Sequence, residues 1–267
     1  MHAPGRPNSD DPTRPADPRG ERAAASLTDV RGEVPDFFQG LHGTIARALN
    51  CFRDRRDAFW EAKQYGRVEL LDEETVLEKM VYVAANPVAA GLVDRGEKWP
   101  GIRLLPDASG RRVIRVEKPE FFFQQDEGLP EEVQVVIERP VHHDYPDNAE
   151  FAARLDEKIE AREKELRGAA VDAGRSFCGV VRVKAQDPFA TPRTREPIGA
   201  PVPRFATRNK ELLKQAEDEH GAWLAAYEDA LARWCEDDRE AVFPPGTWWM
   251  RVFHHANCES DPARAPP

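Results

Sequence analysis

The sequence predicts an α+β fold. Apolar residues recur at helical spacing in several long stretches, whereas residues 111–118 and 131–139 alternate as strands do, with Val113, Ile114 and Val116 in one and Val133, Val135, Val136 and Ile137 in the other. Gly and Pro punctuation separates the two kinds of segment.

Residues 1–26 hold prolines at 4, 7, 12, 15 and 18 and almost no large apolar side chains, so a disordered leader is expected. From Pro35, the residues Phe37, Phe38, Leu41, Ile45, Ala48, Leu49 and Phe52 fall on one side of a helical wheel. A loop follows around Phe59, Trp60 and Tyr65, and residues 67–71 alternate like a short strand. Asp72 is placed to cap a second helix, whose dipole Glu73 and Glu74 complement. Asn86-Pro87 is expected to interrupt that helix, because proline disfavours helical geometry in the residue before it, and Gly91 is a suitable stop.

Between the two strands, Phe121-Phe122-Phe123 is expected to fill a core edge. Phe151, Leu155, Ile159 and Leu166 mark a charged helix with a narrow apolar stripe. A longer helix over 207–237 is expected to bury Leu213, Ala216, Trp223, Leu224, Tyr227, Leu231 and Trp234. The organisation predicted is a leader (1–26), a first domain (27–105), a strand-containing connector (106–148), a helical extension (149–258) and a disordered tail (259–267).

Composition narrows the function classes. In 267 residues no apolar run of about 18 occurs, and the start lacks an apolar core of the kind a secretory signal carries, so a cytoplasmic protein without a membrane span is expected. Cys51, Cys178, Cys235 and Cys258 show no C-x-x-C spacing and read as reduced thiols rather than a zinc or disulfide framework. The net charge of −10 hides a basic stretch: nine basic residues against three acidic ones between Arg175 and Lys214. Arg175, Arg182, Lys184, Arg193, Arg195, Arg204 and Arg208, with Phe177, Phe189 and Phe205 interleaved, could contact phosphates and stack on unpaired bases. A solvated, proline-rich loop with scattered charge accounts for the same residues.

The second helix carries an anomaly. Val76, Leu77, Met80, Val81, Val83 and Ala84 share its apolar arc, whereas Thr75, Glu78, Lys79, Tyr82 and Asn86 share the polar one. Tyr82 sits at the centre of that polar arc, with Asn86 one turn along. On geometry alone, a surface tyrosine whose ring lies on a neighbour and whose hydroxyl stays wet is the more ordinary reading.

The stretch Tyr82-Val83-Ala84-Ala85-Asn86-Pro87-Val88-Ala89-Ala90-Gly91-Leu92-Val93, followed by Trp99-Pro100-Gly101, resembles the signature of the single-tyrosine HUH transposases, in particular their REP-associated, insertion-sequence-200-like branch. Residues 27–50 and the Phe59–Glu74 segment are similar to the parts of those proteins that lead up to the tyrosine helix, so the likeness covers roughly 27–105. The segments at 186–197 and 243–252 look like the C-terminal extension of a long-form subgroup.

The resemblance implies an incomplete ferredoxin-like palm followed by a mainly helical extension, and chemistry on single-stranded or hairpin DNA. Tyr82 matches the nucleophile that leaves a 5′-phosphotyrosine link and a free 3′-hydroxyl. A free phenol ionises only near pH 10, so the family enlists a divalent metal, Mg or Mn, held by a histidine-hydrophobe-histidine strand and a further polar ligand. Asn86 matches that further ligand. The histidine pair is expected just before Leu27-Thr28-Asp29, where this chain reads Gly20-Glu21-Arg22-Ala23-Ala24-Ala25-Ser26, and no H-x-H occurs anywhere. His142-His143 and His254-His255 are adjacent pairs that would point to opposite faces of a strand, and His42 and His220 lie on or beside apolar stripes. The expectation is an N-terminally truncated transposase that binds DNA and, if competent, cleaves and rejoins it, with homodimers among its possible assemblies. The alternative is a catalytically dead remnant acting only as a DNA-binding or helical interaction protein.

Overall fold

The computed structural model describes residues 27, 34–56, 58–60, 66–119, 128–140, 145–187 and 203–260. In chain order the elements are α1 (Val34–Phe52), β1 (Glu69–Leu70), α2 (Glu73–Ala89), β2 (Arg111–Glu117), β3 (Glu132–Glu138), α3 (Asn148–Asp172), α4 (Val180–Lys184), β4 (Phe205–Ala206), α5 (Lys210–Cys235), β5 (Val242–Phe243), α6 (Trp248–His254) and β6 (Asn257–Cys258). Helix and strand are mixed as expected, and the strands form three two-stranded sheets among the described residues. The leader, Tyr65, Phe121–Phe123, His142 and His143, Phe189, Arg193, Arg195 and the end of the tail lie outside those residues.

The chain divides into two compact units, one spanning Val76–Ala200 and the other joining Leu27–Thr75 to Pro201–Pro267. In the first, the apolar arc of α2 meets the stripe of α3: Leu77, Met80, Val81 and Ala84 pack with Phe151, Leu155 and Ile159, flanked by Val76, Leu105 and Tyr145. The α3 stripe recurs every four residues, which keeps it on one face of the helix. Asp147 starts α3 by accepting the backbone N–H groups of Ala149 and Glu150. Arg139 braces the same corner, donating to the Tyr145 and Asp147 carbonyls at 2.6 and 3.2 Å.

Strands β2 and β3 form an antiparallel hairpin in which Ile114 faces Val135 and Val116 faces Val133. Most of both strands is exposed, since no second sheet or helix layer covers the pair among the described residues.

The expected break at Asn86-Pro87 does not occur: α2 runs through Pro87 to Ala89. An interior proline costs about 3 kcal/mol because it removes one backbone bond and crowds the preceding turn. Here it falls in the last turn, and its carbonyl is put to use. The Leu92 N–H donates to the Pro87 carbonyl at 3.0 Å and the Gly91 N–H to the Val88 carbonyl at 2.9 Å, the paired bonds of a Schellman stop. Gly91 takes a φ of +69°, which a glycine adopts without steric penalty. Val88, Leu92 and Val93 are all buried, and that apolar burial offsets the proline's cost.

The second unit is built around α5, which Asn209 caps through Glu211 and Leu212. Ala230, Phe243, Met250 and Ala256 form its buried centre, with Tyr227, Leu231, Trp234 and Cys258 packed on it. Phe205 and Ala206 pair as a strand with Glu69 and Leu70, and α5 begins three residues later than expected, at its Asn209 cap. Of the residues expected to be buried along it, Leu224 is exposed and the others are half-buried. Helix α1 forms over the expected residues, yet none of them is buried. Asp72 caps α2 as expected, accepting the Thr75 N–H at 2.7 Å and the Thr75 hydroxyl at 2.8 Å. That engagement buries Thr75, which the wheel had placed on the solvent side.

Candidate functional site

Tyr82 is 58% exposed, with its neighbours Val81 and Ala84 buried in the core, so the buried arc of α2 holds it facing outward. The Lys79 ammonium lies 5.8 Å from the centre of its ring, within cation–π range. Asn86 is half-buried on the same face one turn on. Wheel analysis puts Lys79 on this polar arc but gives it no role; its spacing of three from Tyr82 is the signal for the contact. A phenol hydroxyl, an ammonium and a carboxamide along one helix face can offer a phosphodiester an attacking oxygen, a cation and a hydrogen-bond donor.

Behind this face lies a site with little signature in the sequence. Glu163 continues the four-residue stripe of Phe151, Leu155 and Ile159 and is only 6% exposed. Its carboxylate accepts the Gly96 N–H at 3.0 Å and pairs with Arg167 at 3.4 Å, and Arg167 also donates to the Asp94 carbonyl at 3.2 Å. A Cβ on Gly96 would come within 2.7 Å of the Glu163 carboxylate and 2.9 Å of the Ala84 carbonyl, so glycine alone permits the approach. The Cys178 and Gly179 N–H groups then donate to the Gly91 and Leu92 carbonyls, both at 2.8 Å. Helix α3 and the segment after Gly174 thus fasten the end of the tyrosine helix. An acidic residue in register with an apolar stripe was the available signal.

The described basic residues divide between the two units. Arg175, Arg182 and Lys184 are exposed in the first unit, around α4, beside Val181 at 81% exposure. Arg204 and Arg208 belong to the second unit, where each has local work. The Arg204 guanidinium sits 5.7 Å from the Phe205 ring centre. Burial alone would raise the Asp72 carboxyl, but hydrogen bonds from Thr207 and Thr75 and the charge of Arg208 outweigh it and hold it below the ordinary carboxylate range. Phe205, His220, Trp223 and Tyr227 continue as a run of ring contacts, the last two nearly parallel at 5.5 Å. Trp223 donates to the Pro245 carbonyl at 2.8 Å, which marks this run as part of the unit's own packing. Burial and then the Arg204 charge push His220 below its ordinary value, against a smaller pull from Glu69.

The histidines do not converge. His42 stacks near Phe38 and Trp60, His254 ends α6, and His255 is its left-handed cap at a φ of +53°. Among the described residues no group of three His, Cys, Asp or Glu side chains could hold a metal ion. The described residues therefore offer Asn86 no partners of that kind with which to hold the divalent metal that the transposase resemblance implies. All four cysteines are free thiols. No described helix is long and apolar enough to cross a membrane. Comparison with protein families, curated proteins and solved structures finds no match for this chain.

Proposed function

We propose that this chain is a transposase-like protein that binds single-stranded or hairpin DNA and presents Tyr82 to a phosphodiester. The observation that carries the reading is the outward projection of Tyr82, with Lys79 and Asn86 beside it, from a helix whose other face is locked into a core. On this reading α1, β1 and α2 are what the chain holds of a ferredoxin-like palm, and the remaining helices are its extension. The exposed Arg175, Arg182 and Lys184 add phosphate contacts in the same unit as Tyr82.

Cleavage would proceed by attack of the Tyr82 phenolic oxygen on phosphorus. A tyrosine–phosphorus bond forms, the bond to the 3′-oxygen breaks, and the phenol proton passes to the departing oxygen as a 3′-hydroxyl. Lys79 would offset negative charge gathering on the phosphate oxygens. No step is routed through a metal, since the described residues offer no ligand set for one. The same observation favours a second reading, DNA binding without strand cleavage.

The test is incubation of the full chain with end-labelled hairpin oligonucleotides, with and without Mg or Mn, followed by denaturing electrophoresis. A protein–DNA adduct lost in Tyr82→Phe, with binding retained, is the expected result. Binding without an adduct selects the second reading. An adduct that persists in Tyr82→Phe refutes the chemistry, and absence of binding at low salt refutes both readings.

A further inference from the structure

The segment that follows Gly101 is neither helix nor strand, yet exposure alternates along it. Ile102 is 85% exposed and Leu104 is exposed too, whereas Leu105 packs on the core of α2 and α3. That alternation turns Arg103 to the side of Leu105, toward the interior. Arg103 is half-buried, and its Nε is enclosed without a hydrogen-bond partner among the described residues. Buried donors are rarely left unpaired, so this one calls for an acceptor or a function.

The acceptor nearest at hand is Glu163. A Cβ built on Gly96 would lie 2.7 Å from Glu163 Oε1 and 3.3 Å from Arg103 Nε, so the two atoms flank the same face of the glycine. The other carboxylate oxygen, Oε2, pairs with Arg167 at 3.4 Å. One buried carboxylate thus stands beside two guanidinium groups and cannot neutralise both. Asp94 does not supply the difference: its carboxylate is taken by Lys98 at 2.8 Å, and it offers Arg167 only a backbone carbonyl. Exposed Arg95 and Glu97 offset one another, which leaves one positive charge in excess. Both arginines reach the surface, Arg103 as a half-buried residue and Arg167 with 26% of its side chain exposed. A guanidinium aligned along its inner edge by a carboxylate presents its remaining N–H groups as a fork, the geometry that matches two oxygens of a phosphate.

We propose that Arg103 and Arg167, aligned from within by Glu163, form a phosphate-binding site in the first unit. The site lies against the buried side of α2, where the Ala84 carbonyl is 2.9 Å from the same Gly96 position, and not on the face from which Tyr82 projects. The inference rests on the proposed function for the source of its ligand: a DNA phosphodiester other than the one that Tyr82 attacks, so that the site anchors the strand and takes no part in its cleavage.

The test titrates the full chain with a labelled hairpin oligonucleotide over a range of salt, beside Arg103→Gln. Loss of one phosphate contact should raise Kd about five- to tenfold at roughly 0.1 M salt and flatten the plot of log K against log salt by about 0.9. Arg154→Gln removes the same charge from a surface pair with Glu157 and should leave that slope unchanged. Arg103→Lys keeps the charge but not the fork, so it should recover the slope and only part of the affinity. In the parent chain, the NMR signal of the Arg103 Nε–H, identified by its absence from Arg103→Lys, should move saturably as inorganic phosphate is added. Should circular dichroism show Arg103→Gln unfolded, Arg103→Lys and the phosphate titration decide. DNA binding with the same affinity and salt slope in Arg103→Gln as in the parent overturns the site and leaves the proposed function standing. If no DNA is bound at low salt the proposed function falls, and the titration decides the site: a saturable shift retains it for free phosphate, and no shift overturns it.

Discussion

The Glu163 carboxylate is the contact whose removal says most about how the tyrosine helix is held. Replacing it by Ala or Leu leaves the Gly96 N–H, which is buried, without its 3.0 Å acceptor. An unsatisfied buried donor costs about 1–3 kcal/mol. Arg167 also loses its counter-charge, but its side chain is 26% exposed and can take water, so this adds only about 1 kcal/mol. The expected loss for Glu163→Leu is therefore about 2–4 kcal/mol, below the ~3–5 kcal/mol of a fully enclosed pair. In urea, where a small unit loses roughly 1–3 kcal/mol per molar, the midpoint should fall by about 1–2 M. Glu163→Gln keeps an oxygen acceptor for Gly96 and should lose less than half as much. Hydrogen exchange at the Gly96 amide separates the two effects: protection should vanish in Glu163→Leu and survive in Glu163→Gln. A Glu163→Leu protein as stable as the parent, with Gly96 still protected, would refute the reasoning.

Two further outcomes concern the second unit. His220 is held below its ordinary value of 6.5, chiefly by burial, so the neutral form is favoured on folding. That contribution is complete above the unfolded value and is lost as pH falls through the folded one. Stability measured by denaturation should therefore drop as pH falls below 6.5 in the parent, and the drop should flatten in His220→Phe; equal slopes would remove His220 from the account. Phe243 is fully buried between Tyr227 and Trp234, and Phe243→Ala should cost about 3–5 kcal/mol. Protection of α5 amides should collapse with it, and unchanged α5 exchange would show that the centre of that unit lies elsewhere.

Local patterning determined a good part of this molecule. The period of Leu77, Met80, Val81 and Ala84, the Asp72 cap, the Gly91 stop and the strands around Ile114 and Val135 are all readable, because each depends on neighbours a few residues away. The outward direction of Tyr82 was legible for the same reason: a helix with one apolar arc must turn its other face to solvent. What the sequence by itself could not decide rests on distant partners. Pro87 stays helical because Val88 and Leu92 find a core, and propensity carries no information about that core. Glu163 is buried because the Gly96 N–H meets it across 67 residues of chain. The basic stretch is continuous in sequence, yet its described members belong to two units: Arg175 and Arg182 to one, and Arg204, beside Phe205, and Arg208, whose charge acts on Asp72, to the other. Proximity along a chain fixes periodicity and caps, whereas desolvation and charge pairing are settled only when segments far apart in sequence come into contact.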